Sequence, residues 1–103
     1  MSDKIVLTGI KPTGMPHLGN YIGALKPLIE RSKQYKTFMF IADLHALNTI
    51  HDPKVIREHT YQAAAMMMAL GVDLNNAVLF RQSDIVEIYQ LNTVLMNVTP
   101  KGL

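Results

Sequence analysis

With 103 residues, 49% of them hydrophobic, the chain can bury one small core, so we expect one domain or part of one. A formal net charge of +2, with ten Lys and Arg residues spread along the sequence, gives no electrostatic reason to expect a protein that binds nucleic acid. The absence of Cys excludes disulfides and thiolate metal sites, and the four scattered His residues do not have zinc-ligand spacing, so we expect no metal ligands from the protein itself. No apolar stretch is long enough to span a bilayer, so we expect a soluble cytoplasmic protein.

The first predicted element is a strand at residues 5–7, an apolar and β-branched run suited to burial on both faces. A helix is predicted at residues 21–35 from the spacing of its apolar positions. Pro27 lies inside that pattern and should bend or divide the helix, because proline removes a backbone hydrogen bond.

The turn between these elements, residues 9–20, has the composition of a phosphate-binding loop. Gly9 and Gly14 permit backbone angles and close approaches that other residues forbid. Gly19 lies in the first turn of the following helix, where unpaired N–H groups can face an anion, and His17 and Asn20 add hydrogen-bond donors there. The alternative is a tight structural connection, since neither the P-loop nor the dinucleotide fingerprint is present.

Strand and helix then alternate twice more. The predicted bounds are a strand at 36–42, a helix at 53–70, a strand at 77–80 and a helix at 83–98. Asp52 and Gly71 are the predicted caps of the second helix, and Ser83 or Asp84 is the predicted start of the third. The fold class is therefore α/β, the first half of a doubly wound, Rossmann-like parallel sheet in βαβαβα order.

Polar side chains follow the second and third strands at the edge where open α/β sheets bind ligands. Asp43 and His45 are separated by one residue, so both can face one side and line a pocket. The alternatives are a cap or loop hydrogen bond for Asp43 and a satisfied buried imidazole for His45. Gln82 and Ser83 end the third strand at the same edge, with Ser83 interpreted as a helix cap, and His59 is expected on the surface.

Three blocks of the sequence resemble class I aminoacyl-tRNA synthetases. Residues 12–20 resemble the "HIGH" signature, with His17-Leu18-Gly19-Asn20 at its four core positions, and the extension over residues 19–24 is characteristic of the tryptophanyl-tRNA synthetases. Residues 40–47 and 79–84 resemble the second-strand and third-strand motifs of that family. The tyrosyl family is the nearest alternative, but its signature usually closes with His where this chain has Asn20.

The resemblance implies an ATP site and an amino-acid pocket. The implied ATP contacts are Lys11, Pro12, Thr13, Gly19 and Asn20, and the candidate catalytic residues are His17 and Asn20. The family has an apolar or aromatic pocket wall at the position of Leu7 and uses the position of His45 near the indole. Lys11 replaces a frequent Gln of the family, and His17 replaces a Thr found in many bacterial members.

The implied activity is that of a tryptophan–tRNA ligase: L-tryptophan and ATP give tryptophanyl-adenylate and pyrophosphate, with Mg²⁺ carried by the ATP, and the product is transferred to tRNA(Trp). A homodimer is the expected assembly, and no membrane partner is expected. Since the sequence has no counterpart of the "KMSKS" loop or of an anticodon-binding helical domain, we expect residues 1–103 to be the amino-terminal half of an ATP-binding domain, inactive or weakly active alone. The alternatives are a small nucleotidyltransferase with a HIGH-like turn and a non-catalytic interaction fragment.

Overall fold

A computed structural model of the chain describes residues 3–14, 19 and 21–102. Its three strands form one parallel sheet in the order β1–β2–β3, with bounds β1 Ile5–Ile10, β2 Lys36–Ile41 and β3 Ala77–Arg81. Leu7 pairs with Phe38, which pairs in turn with Val78. Parallel pairing of consecutive strands that alternate with helices confirms the predicted α/β class.

Four α-helices and two short helical turns lie in the described part of the chain. Their bounds are a π-helical turn Tyr21–Leu25, α1 Lys26–Gln34, α2 Asp43–Ala46, α3 Pro53–Ala69, a 3₁₀ turn Gln82–Asp84 and α4 Val86–Val98. The short helix α2 was not expected from the sequence. None of these helices has the length and apolarity that crossing a bilayer requires.

Pro27 divides the first helical segment, as predicted. It is the second residue of α1 and follows directly after the π-helical turn. A proline lacks the N–H group and clashes with the carbonyl four residues earlier, so regular α-helical hydrogen bonding cannot continue through it. The wider turn absorbs this mismatch, and α1 begins where proline is tolerated.

The caps of α3 are confirmed, whereas those predicted for the last helix are wrong. Asp52 accepts a hydrogen bond from the Lys54 N–H at 2.8 Å, and Gly71 follows the end of the helix with a φ of 94°. Helix α4 begins at Val86 without a side-chain cap. Ser83, which was expected to be that cap, is instead hydrogen-bonded to Asp43, the first residue of α2.

Both crossover helices lie on the same face of the sheet. Right-handed crossovers that step through a sheet in one direction all lie on one side of it. The buried core joins α1 and α3 to this face, and its members are Leu28, Ile29, Met39, Met67, Val72 and Ala77, with Ile10, Leu70 and Leu79 packed against them. The hydrophobic core is therefore a single layer between sheet and helices.

The opposite face of the sheet, which we call the open face, is apolar and is only partly covered by the described residues. Its strand residues are Ile5, Leu7, Phe38, Phe40, Val78 and Phe80. Ile5 and Leu7 are 64% and 67% exposed, so the expectation that residues 5–7 are buried on both faces is wrong. Only one layer of helices is present to bury them. Helix α4 also buries none of its residues.

Candidate active site

The turn after β1 begins at the carboxyl edge of the sheet. Thr13 donates its N–H to the carbonyl of Lys11 at 3.0 Å, which closes a three-residue turn centred on Pro12. Pro12 is less than 2% exposed, whereas Lys11 and Thr13 are exposed. Pro12 therefore anchors the turn, and its contact with ATP stays a prediction. The side chains of Lys11 and Thr13 reach solvent at the edge where open sheets bind ligands.

Two glycines beside this turn have different roles. Gly14 has a φ of 99°, the left-handed conformation that favours glycine, so the prediction for Gly14 is confirmed. Gly9 lies inside β1 and has no such angle, so the expectation of a special backbone angle there is wrong, while close approach of a ligand at Gly9 stays a prediction. A Cβ on Gly9 would lie 2.4 Å from two ring carbons of Phe40. Glycine at this position lets the Phe40 ring pack directly on the β1 backbone.

His17 and Asn20 lie outside the described residues, so the catalytic roles predicted for them stay predictions. Gly19 is described and has a helical, exposed backbone, in agreement with its predicted place at the start of a helix. Its contact with ATP also stays a prediction.

Two cavities share side chains at the carboxyl edge of the sheet, next to this turn. The polar cavity has a volume of about 360 Å³ and is lined by Gly9, Lys11, Phe40, Ala42, His45 and Gln82. The apolar cavity, on the open face, has a volume of about 430 Å³ and is lined by Leu7, Phe38, Phe40, Val78, Phe80, Gln82, Ile85 and Ile88. Phe40 and Gln82 line both cavities, so these two side chains form the boundary between them.

The structure brings together three of the predicted site residues. Lys11 and His45 line the polar cavity, and Leu7 lines the apolar cavity beside it. His45 is exposed, which rules out the alternative of a satisfied buried imidazole. The aromatic wall of the apolar cavity is formed by Phe40 and Phe80, whose ring centroids are 6.0 Å apart.

Asp43 faces a different part of the molecule from His45. Both residues lie in the helical turn α2, where side chains two positions apart are separated by about 200° around the axis. The expectation that they face one side assumed strand geometry and is wrong. Asp43 lines a third cavity of about 520 Å³ beside α3, and the other residues of this cavity are Leu47, His51, Pro53, Ile56, Arg57, Thr60, Tyr61 and Arg81.

The carboxylate of Asp43 joins the ends of β2 and β3. Its Oδ1 accepts the N–H of Ser83 and the N–H of Leu44, each at 3.0 Å, and its Oδ2 accepts the Ser83 hydroxyl. These bonds match the alternative of a cap or loop hydrogen bond, and the place of Asp43 in a substrate pocket stays a prediction. They also fix the 3₁₀ turn that carries Gln82.

Next to Ser83, Arg81 and Asp84 form an exposed ion pair. The Nε of Arg81 donates to Oδ2 of Asp84 at 2.9 Å, and its second guanidinium nitrogen donates to Oδ1 at 2.5 Å. The hydrogen bond from Arg81 lowers the pKa of Asp84, and the same bond raises the pKa of Arg81. Because both side chains are in solvent, this pair adds little to stability.

Comparison with known proteins decides the family. A family model described as "tRNA synthetases class I (W and Y)" matches residues 2–102. The chain belongs to this family. The tryptophan–tRNA ligase of Rhodopirellula baltica is 51% identical over 98 residues, which are 95% of this chain and 31% of that protein. The tryptophan–tRNA ligase of Neisseria meningitidis is 44% identical over 105 residues, covering 100% of this chain and 31% of that protein.

A solved structure of a class I synthetase has the same fold. The crystal structure of tryptophanyl-tRNA synthetase from Campylobacter jejuni, complexed with ADP and tryptophan, matches with a TM-score of 0.88 at 37% identity. The match covers 94% of this chain and 30% of that one. These findings confirm the predicted resemblance to the tryptophanyl-tRNA synthetases. The chain spans just under a third of the length of the curated relatives given above.

Two buried polar atoms near this site were given no role in the sequence analysis. Oε1 of Gln82 and Nδ1 of His59 are buried and have no hydrogen-bond partner among the residues that the structure describes. An unpaired buried acceptor or donor costs about 1–3 kcal/mol. His59 is partly buried, so the expectation of a surface residue is wrong. Its ring packs beside the turn, at 3.7 Å from the position that a Cβ on Gly14 would occupy. The sequence feature that points to a role for Gln82 in ligand binding is its position as the first residue after a strand, at the edge where open sheets bind ligands.

Within residues 3–14, 19 and 21–102, no three His, Asp or Glu side chains come together as a metal site would require.

Proposed function

We propose that this chain forms the ATP- and tryptophan-binding half of the catalytic domain of a tryptophan–tRNA ligase. The observation that carries the proposal is that a polar and an apolar cavity lie side by side next to the turn after β1 and share Phe40 and Gln82 in their walls. ATP and L-tryptophan are the proposed ligands, because curated relatives are named tryptophan–tRNA ligases and a structural neighbour was crystallised with ADP and tryptophan.

The proposed reaction has two steps. A carboxylate oxygen of L-tryptophan attacks the α-phosphorus of ATP, the bond from that phosphorus to the oxygen bridging to the β-phosphate breaks, and pyrophosphate leaves. A ribose hydroxyl of tRNA(Trp) then attacks the carbonyl carbon of tryptophanyl-adenylate, and AMP leaves as the hydroxyl loses its proton. Positioning and charge stabilisation supply most of the acceleration in phosphoryl transfer, so no protein nucleophile is needed.

Each part of the site has a proposed task in the first step. Lys11 brings a positive charge to the triphosphate from the turn that Pro12 anchors. The helical backbone at Gly19, together with His17 and Asn20, binds the phosphates. The apolar cavity beside Leu7 accepts the indole ring, and His45 lies between the indole and the phosphates. Mg²⁺ carried on the phosphates of ATP would neutralise part of their charge.

The proposal extends to the assembly and to its location. The exposed apolar side chains of α4 favour a homodimer, because large uncovered apolar patches usually bind a partner. We place the enzyme in the cytoplasm, where tRNA(Trp) is found. Sedimentation equilibrium of the full-length protein should give the mass of two chains, and a monomer at micromolar concentration would contradict the dimer.

Exchange of pyrophosphate into ATP, measured with the full-length enzyme that contains this segment, tests the proposed activity. We expect exchange with tryptophan and none with tyrosine. Lys11→Ala should raise the KM for ATP, while Lys33→Ala, an exposed lysine near the end of α1, should leave it unchanged. Exchange supported by tyrosine alone would make the amino-acid assignment wrong.

The 103-residue chain alone is expected to charge little or no tRNA(Trp), because the proposed site needs groups supplied by the other two thirds of the relatives' length. Aminoacylation by residues 1–103 at the rate of the full-length enzyme would contradict the proposed division of the site.

A further inference from the structure

The third cavity, beside α3, has no task in the proposed first step of the reaction. Its volume is about 520 Å³, and it is bounded by Asp43 in α2, Arg81 at the end of β3 and the amino-terminal half of α3. His45 in α2 and Gln82 directly after β3 line the polar cavity. The ends of the same two segments therefore border both spaces, which places the third cavity next to the proposed ATP site.

Arg57 and Tyr61 line this cavity side by side. They are four positions apart on α3, where side chains are neighbours, and the guanidinium carbon of Arg57 lies 5.9 Å from the centroid of the Tyr61 ring. Both side chains are exposed. Within residues 3–14, 19 and 21–102, no carboxylate forms an ion pair with Arg57. The wall therefore presents a cation and an aromatic face together to solvent.

Two other charged groups of the cavity, Asp43 and Arg81, already have partners. Both oxygens of the Asp43 carboxylate accept hydrogen bonds from Ser83. Arg81 is paired with Asp84. An anionic group that enters the cavity therefore finds its counter-charge at Arg57, and a guanidinium group binds a phosphate through charge-assisted hydrogen bonds.

A cation beside an exposed aromatic ring suits one nucleotide of a single-stranded RNA. Proteins bind single strands by placing basic side chains on the phosphates and by stacking bases on aromatic rings. Arg57 supplies the first kind of contact and Tyr61 the second. The proposed reaction brings such a strand to this edge of the sheet, because the terminal ribose of tRNA(Trp) must reach the adenylate. The nucleotides that precede it then lie beside the ATP site.

We propose that the third cavity binds a nucleotide near the single-stranded 3′ end of tRNA(Trp), with a phosphate on Arg57 and a base stacked on Tyr61. This inference rests on the proposed function, because that function brings the tRNA to the sheet edge. The site takes part in the transfer step alone. Its loss therefore weakens tRNA binding and leaves the formation of tryptophanyl-adenylate unchanged.

Binding of tRNA(Trp) to the full-length enzyme tests this site. Tyr61→Leu should raise the Kd for tRNA(Trp) by about five- to a hundredfold, the usual effect of losing one stacked base, whereas Tyr61→Phe keeps the ring and should leave the Kd unchanged. Arg57→Gln should raise the Kd and reduce the slope of log Kd against log salt concentration by about 0.7, the value for one phosphate contact on a single strand. Arg31→Gln, at an exposed arginine of α1, is the matched control and should change neither quantity.

Two further measurements separate this site from other roles of the cavity. Pyrophosphate exchange, which needs no tRNA, should give the same KM for ATP and for tryptophan in Arg57→Gln and Tyr61→Leu as in the unmodified enzyme. A tRNA(Trp) without its single-stranded 3′ end should bind the unmodified enzyme and Tyr61→Leu equally well. An unchanged Kd in Tyr61→Leu, a raised KM for ATP, or a full effect with the shortened tRNA would overturn the site alone. Absence of tryptophan-dependent exchange in the unmodified enzyme would overturn the proposed function as well.

Discussion

The two faces of the sheet come from the same three strands, yet they differ sharply in burial. On the helix-covered face, Met39 and Ile41 are each 1% exposed, whereas on the open face Leu7 is 67% and Val78 is 47% exposed. Both faces are apolar, so composition does not separate them. Their burial differs because the two crossover helices, α1 and α3, pack on the same face of the sheet. The covered face stabilises the fold, and the open face is free to bind an apolar ligand.

The largest expected effect comes from testing this difference directly. Met39→Ala on the covered face should lower the free energy of unfolding by about 2–5 kcal/mol, because it leaves a cavity in the only core that the described residues form. Leu7→Ala on the open face should change it by about 0.5 kcal/mol, as at other exposed positions. Urea denaturation of both variants measures the two values. Similar losses would show that the open face is covered in solution.

The second prediction concerns a point where the backbone of β1 supports the open face. Gly9→Ala should lower the free energy of unfolding by about 1–3 kcal/mol, since its Cβ would overlap the Phe40 ring and force that ring to move. The displaced ring should also raise the KM for tryptophan. Gly23→Ala is the matched control, because a Cβ there meets nothing within 4 Å. Equal behaviour of the two variants would refute the packing role of Gly9.

The third prediction concerns the edge where the two faces meet. Asp43→Asn and Ser83→Ala should be coupled by about 1–2 kcal/mol in a double-mutant cycle, because the Ser83 hydroxyl donates to a partly buried carboxylate. Unfolding free energies of the single and double variants give the coupling. Additive losses would mean that this bond does not hold the ends of β2 and β3 together.

The smallest effect is expected at the other carboxylate of this edge. Asp84→Asn should leave the urea midpoint at pH 7 nearly unchanged, because the Arg81–Asp84 pair is in solvent. The hydrogen bond from Arg81 lowers the pKa of Asp84, so any contribution is complete above the ordinary aspartate pKa and is lost as the pH falls through the lowered value. Unfolding of the two proteins compared from pH 7 down to pH 2 should show their difference vanish at the acid end. A midpoint lowered at pH 7 as much as in Asp43→Asn would contradict this.

Much of the fold could be predicted from local signals. Asp52 and Gly71 marked the ends of α3 because capping and left-handed turns depend on a few neighbouring residues. Pro27 correctly marked a division in the first helix for the same reason. The strands were found from their apolar runs, within a few residues at their ends.

The parts of the site that were not predicted depend on partners distant in sequence. Ser83 resembled a helix cap, but its hydrogen bonds go to Asp43, 40 residues away. His59 looked like a surface residue, because nothing near it in sequence indicates that it packs beside Gly14. The open face could not be recognised from a run of apolar residues, since such a run does not say how many helix layers will cover it.

The bond between Asp43 and Ser83 has a consequence for how the chain folds. Bringing residues 40 positions apart into contact has an entropic cost that local helices do not have to meet. We therefore expect the bond to form after β2 and β3 have paired, so that it slows unfolding and leaves the folding rate unaltered. In stopped-flow kinetics, the refolding limb of Ser83→Ala should superimpose on that of the unmodified chain, and the unfolding limb should be faster.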